Sequence, residues 1–155
     1  MSQDRFDRYV IRAQRFGART VLFQEAAARC LGLSATQLEC FQLVRHDGPM
    51  TAADLARETG LTQASLSVVI DKLVGTAFLS RKQNMADRRR WLLNAQPAAI
   101  ERVDAIYTAH AHRTAALLDE YSEADFNAAL RFMDRLAEEL RLTAIELGDS
   151  RPNRN

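Results

Sequence analysis

Between Thr51 and Gly75 the chain reads TAADLARETGLTQASLSVVIDKLVG, and the fold turns on this stretch. Thr51 with Asp54 three residues on is a helix-start signal, opening a short helix through Leu55, Ala56 and Glu58 that stops at Gly60. Thr62 caps a second helix, whose apolar positions Leu66, Val69, Ile70, Leu73 and Val74 keep helical spacing to Gly75. Only Gly60-Leu61 separates the two. A turn this short, with a glycine free to go left-handed and an apolar residue behind it, is what a helix-turn-helix requires.

Downstream, Phe78-Leu79-Ser80-Arg81-Lys82 and Arg90-Trp91-Leu92-Leu93-Asn94 mix bulky apolar residues with charge around a polar, basic turn, Gln83 to Arg89. This predicts a β-hairpin. Pro97 suits the first turn of a long helix, and Ile100, Val103, Tyr107, His110, Thr114, Leu117 and Tyr121 carry its face for about six turns. Ser122 with Asp125 caps a last helix with Phe126, Leu130, Met133, Leu136, Ala137, Leu140, Ala144 and Leu147 on one face. Gly148 is expected to end it, leaving residues 149–155 as a disordered tail.

Upstream, no breaker except Gly17 interrupts Asp4 to about Cys30, where Phe6, Tyr9, Val10, Ala13, Phe16, Thr20, Phe23 and Ala27 recur at three and four. Ser34 with Gln37 then reads as a capping box before Leu38, Phe41, Gln42 and Val44, and His46-Asp47-Gly48-Pro49 closes that helix. The predicted class is mainly α with a small β-wing, in one domain of 155 residues. Within it a winged helix-turn-helix, about residues 34–96, is flanked by long helices over 4–30 and 97–148.

Apolar residues form 47% and charged residues 26% of the chain, which excludes disorder, and no run approaches the ~20 apolar residues that cross a bilayer. The N-terminus lacks an export signal, so a cytoplasmic protein with Cys30 and Cys40 as thiols is expected. Net charge is +1, but it is unevenly placed. From Thr51 to Gln96 seven basic side chains face four acidic ones, a local +3, while the remainder carries −2. One segment is thus suited to a polyanion. The outer helices are too long and one-sided for so small a middle to cover, so a second copy is expected to pair through them, at Phe6, Tyr9, Val10, Leu136, Leu140 and Leu147.

A helix-turn-helix followed by a basic hairpin places the second helix in the major groove and the hairpin's arginines along phosphates or in the minor groove. The outward residues of the early turns are Thr62, Gln63, Ala64, Ser65, Ser67 and Val68, with Lys72 further on. Gln63 suits adenine, Ser65 and Ser67 reach bases or phosphates, Ala64 or Val68 meets a thymine methyl, and Lys72 a phosphate. In the wing Arg81, Arg88, Arg89 and Arg90 supply cations, and Asp87 is expected to orient one of them through a bidentate pair.

These residues resemble a family. Asp54-Leu55-Ala56, Gly60-Leu61-Thr62, Ile70-Asp71-Lys72-Leu73, Phe78-Leu79-Ser80-Arg81, and above all Asp87-Arg88-Arg89 with Leu92-Leu93 beyond, look like the multiple-antibiotic-resistance regulator (MarR) family of bacterial transcription factors. The resemblance implies a homodimer joined by its terminal helices that binds a palindromic operator on double-stranded DNA. It also implies repression of a nearby gene and release from DNA by a small aromatic or phenolic ligand. Where many relatives carry an arginine in the recognition helix this chain has Val68, which shifts readout toward Gln63, Ser65, Ser67 and the wing.

Some relatives sense peroxide through a cysteine in the first helix, but Cys30 lies at that helix's end and Cys40 beside Phe41, so both read as small buried hydrophobes. An effector site is expected where the first, second and fifth helices meet, from Phe16, Arg19, Phe41, Arg45 and His46, an arginine meeting the carboxylate of an aromatic acid. His110 and His112, two apart on a helix, cannot share a metal; no metal or cofactor is expected. No phosphate loop, nucleophile elbow or paired CxxC points to an enzyme. The other open alternative is a winged helix used for protein contact without specific DNA binding.

Overall fold

Side-chain oxygens set where the helices start. In the computed structural model, which describes residues 2–149, Ser2 accepts from the Arg5 N–H at the head of α1 (Gln3–Leu31). Ser34 and Gln37 close the expected capping box on α2 (Ala35–His46), with the Gln37 N–H donating to Ser34 Oγ at 3.2 Å and the Ser34 N–H to Gln37 Oε1 at 2.9 Å. Thr51 and Asp54 close another on α3 (Ala52–Thr59). The Ser65 N–H donates to Thr62 Oγ1 at the start of α4 (Gln63–Gly75). Gly60, at φ 65°, ends α3 in the left-handed conformation the short turn requires.

The wing pairs β1 (Leu79–Gln83) with β2 (Trp91–Ala95) in antiparallel register, Leu79 opposite Ala95 and Gln83 opposite Trp91. Both strands lie one residue later than the sequence predicts. The Phe78 N–H is claimed by Leu73 O at 2.8 Å, closing α4, and Arg90 belongs to the turn through its N–H to Asp87 O. Met50 adds a one-residue bridge to Leu93, tying the start of the helix-turn-helix to the wing.

Two long helices follow, α5 (Pro97–Leu118) and α6 (Glu123–Asp149). Tyr121 falls outside α5, because the backbone turns at Asp119–Tyr121 with the Tyr121 N–H on Leu118 O. Gly148 does not end α6: the helix continues to Asp149, first residue of the expected tail, and 150–155 lie outside the described residues.

The core centres on α2. Leu38, Cys40, Phe41 and Val44 bury against Leu55 of α3, Leu66, Ile70 and Leu73 of α4, Leu79 and Leu93 of the wing, and Val103 of α5. Phe41 meets Phe78 edge to face at 5.4 Å between centroids, and the Arg102 guanidinium lies 4.7 Å over the Phe78 ring. Truncating Phe41 to Ala would cost about 3–5 kcal/mol, the usual loss for a buried aromatic. From α1 only the last turns, Ala27, Ala28 and Leu31, are buried, and Cys30, expected inside, falls off that face and is exposed. Ile11, Phe16, Val21 and Leu22 of α1 and Phe132, Met133, Leu140 and Leu147 of α6 stay exposed.

Candidate nucleic-acid interface

The Thr62 cap turns the start of α4 outward, because Leu66, Ile70 and Leu73 hold the opposite face in the core. Gln63, Ala64, Ser65, Ser67 and Lys72 are all exposed. Val68 is 69% exposed, an apolar side chain with no partner in the core. The Thr62 hydroxyl donates to Ser65 Oγ at 3.0 Å, so both residues also serve as the helix cap. Behind α4, Asp54 accepts from the Thr51 hydroxyl at 2.7 Å and from Arg57 Nη2 at 2.6 Å. The Thr51 and Arg57 bonds, Thr51 first, hold the Asp54 carboxyl down to about 2.

At the wing tip the backbone is shaped by side-chain acceptors. Asn84 Oδ1 accepts from the Ala86 and Asp87 N–H groups, and Gln83 Nε2 donates to Arg88 O at 2.6 Å. Asp87 does steady the tip, but by a different bond from the one expected: its carboxylate accepts from the Arg89 backbone N–H at 3.1 Å, and it forms no ion pair among the described residues. An Asx-type bond to the residue two along is the shorter reach. Arg88, Arg89 and Arg90 are exposed, and among the described residues no ion pair engages them. Arg81 differs. Its Nη2 is 2.7 Å from Asp71 Oδ1, so it braces the wing against α4. Two exposed apolar wing residues are not singled out by the sequence as contacts: Met85 at the tip, 87% exposed, and Trp91 beside the arginines. Their only sequence signal is a large apolar residue next to charge.

Away from this surface a groove of about 510 Å³ opens between α1 and α2. Thr20, Val21 and Gln24 form its α1 wall, and Thr36, Glu39, Cys40 and Leu43 its α2 wall, with Leu61 at one end. The residues expected for an effector lie elsewhere. Phe16 is 68% exposed on α1, Phe41 is sealed in the core, Arg45 Nη2 is held by Asp104 Oδ1 at 2.6 Å, and neither Arg19 nor His46 lines the groove. Burial, and then Glu39 beside it, push the Cys40 thiol up to about 11, an unreactive thiol. His110 packs against Phe23 at 5.0 Å.

The model of the MarR family matches residues 33–91. The HTH-type transcriptional regulator YcgE of Bacillus subtilis (strain 168) is 31% identical over 125 residues, 81% of this chain and 81% of that protein. The chain belongs to the MarR family. This MarR-family chain is also similar to the HTH-type transcriptional repressor YetL of the same bacterium, 22% identical over 70% of this chain and 66% of the relative. Among solved structures, a mutant MepR from a multidrug-resistant S. aureus clinical isolate superposes with a TM-score of 0.72 at 16% identity, covering 85% of this chain and 96% of that one. The transcriptional regulator Tm0710 of Thermotoga maritima gives 0.61 at 15% identity, covering 91% and 97%. At such identities these two speak for the fold alone. The MarR-family chain is a DNA-binding transcriptional regulator, and its relatives are regulators of transcription, not enzymes. No helix among the described residues is long and apolar enough to cross a membrane.

Proposed function

We propose that the protein is a homodimeric repressor that binds an inverted-repeat operator and leaves it when a small aromatic effector binds. The observation that carries the DNA reading is one surface: the outward turns of α4, from Gln63 to Lys72, with a wing whose Arg88, Arg89 and Arg90 have no acidic partner among the described residues. Cations kept free beside a solvent-facing helix start match phosphates flanking a major groove. Pairing is supported by the uncovered apolar faces of α1 and α6, where Phe6, Leu140 and Leu147 are exposed and Tyr9 already leans on Phe132 edge to face. Two copies related by a twofold axis would present two α4 helices to successive major-groove faces, about one helical turn apart.

Gel-shift titration of the purified protein on DNA upstream of its own gene, over a salt series with competitor DNA, tests this. A specific shift on an inverted repeat, with affinity falling steeply as salt rises, is expected. Failure to shift that DNA or any sequence selected from a random pool at low salt would overturn the DNA reading in favour of protein contact.

A further inference from the structure

We propose that the groove between α1 and α2 takes a cationic amphiphile, an aromatic molecule bearing a protonated amine, with Glu39 as its counter-charge. The inference rests on the ligand-responsive reading above and names the ligand class for it. The volume, about 510 Å³, is that of a small-molecule site, and Val21, Leu43 and Leu61 give it apolar walls. Among the described residues, Glu39 is the one charged side chain lining it. Partial burial of its carboxyl pushes Glu39 above the usual carboxylate range, while the residue as a whole is exposed to water at the groove's rim. A carboxylate that has lost part of its solvation gains from an arriving cation.

Next to the groove residue Gln24 lies a mixed polar cluster that also holds the Arg45 cation. The Tyr107 hydroxyl donates to Gln24 Oε1 and lies beside Gln42 and Glu39. Gln42 Oε1, one turn along α2 from Glu39, is buried without a hydrogen bond but does not line the groove, so the groove's own side-chain carboxylate and carbonyl acceptors for a ligand are Glu39 and Gln24. An ammonium supplies donors and charge together. An aromatic carboxylate would instead lie beside Glu39 with no cation among the described lining residues, because Arg45 is held by Asp104. Cys40, its thiol proton firmly held, offers no covalent attachment, so capture is reversible.

Calorimetric titration of the full-length protein near neutral pH with 1-naphthylmethylamine, 1-naphthylmethanol and 1-naphthoate tests the assignment. The amine should bind about tenfold or more tighter than the acid, and Glu39→Gln should weaken the amine by about tenfold while leaving the alcohol within about twofold. Leu43→Trp, which fills the groove, should remove binding of all three while specific DNA binding persists, which shows the variant is folded. Equal or tighter binding of the acid, or an amine affinity indifferent to Glu39→Gln, overturns the proposal. So does the absence of binding by all three, the result if a second copy of the chain fills the groove. The gel shift without ligand separates the two readings. Specific DNA binding without amine binding sinks the groove alone; Glu39-dependent amine binding without a specific shift sinks the DNA reading and keeps the site.

Discussion

Ala77 stands where a helix that ends in this way usually places glycine. Its φ is 58°, its N–H donates to Val74 O, and the next N–H, of Phe78, reaches back to Leu73 O. The left-handed conformation costs an alanine about 1 kcal/mol, held in place by Phe78 being buried behind it. Ala77→Gly is expected to raise stability by about 0.5–1 kcal/mol, partly offset by the freer unfolded chain, read as a higher urea midpoint at constant slope. A lower midpoint would show that the turn carries no strain. Asp54 makes a prediction of opposite character. With its folded pKa near 2 against an ordinary 3.8, it contributes stability above pH 3.8 that is lost as the pH falls toward 2. Urea midpoints of wild type and Asp54→Asn should therefore differ at pH 5 and converge on acidification, to about pH 2; a constant difference would place the effect in packing rather than charge.

Between α4 and the wing the division of labour is open to mutation. Arg88→Ala with Arg89→Ala should weaken binding to every sequence alike and shrink the salt slope by about 1–2, one for each phosphate left without its cation. Gln63→Ala should instead alter base preference by about 1–3 kcal/mol at one position, with the slope preserved, measured against a library of operator variants. A slope unmoved by both arginine changes would take the wing out of the mechanism. These elements are legible in the sequence because their causes are local: Thr51 with Asp54, Gly60 at the turn, and apolar residues at three and four all act within a few positions. Where a cause lies far along the chain, or in the tertiary packing, local patterns mislead. The Met50–Leu93 bridge joins residues 43 apart through a single pairing; Phe78 misleads for a different reason, since the helix ending in which Leu73 O takes its N–H is local but is disguised by Ala77 in the place of the usual glycine. The groove is hidden for the same reason as the bridge. Its walls come from two helices, and although helix geometry makes Phe41 and Glu39, two apart on α2, face opposite ways, it is the packing of Phe78 and Val103 on one side that decides which of them faces the core.

α6 buries none of its described residues in the core, yet it is not detached. Arg141 pairs with Glu138 on its own helix at 2.7 Å and approaches Glu58 of α3 at 3.8 Å, and Ile145 passes beside Gly60. The helix proposed to meet a second copy therefore also touches the turn before α4, so a change in how two copies lean would reach the reading surface. Leu140, 62% exposed, should tolerate a charge in the isolated chain and not in a dimer. Leu140→Asp is expected to raise the dimer dissociation constant by about tenfold or more in sedimentation velocity, with unchanged circular dichroism, and to weaken operator binding with it. A variant that stays as dimeric as wild type would move the interface off this face. Trp91 brings a consequence of another kind. It is the only tryptophan in the chain, and it sits half exposed in the wing. Selectively excited indole emission from the native protein therefore comes from the strand beside Arg90, so the arrival of DNA there can be followed by the colour and quenching of that light, without attaching a dye to either partner.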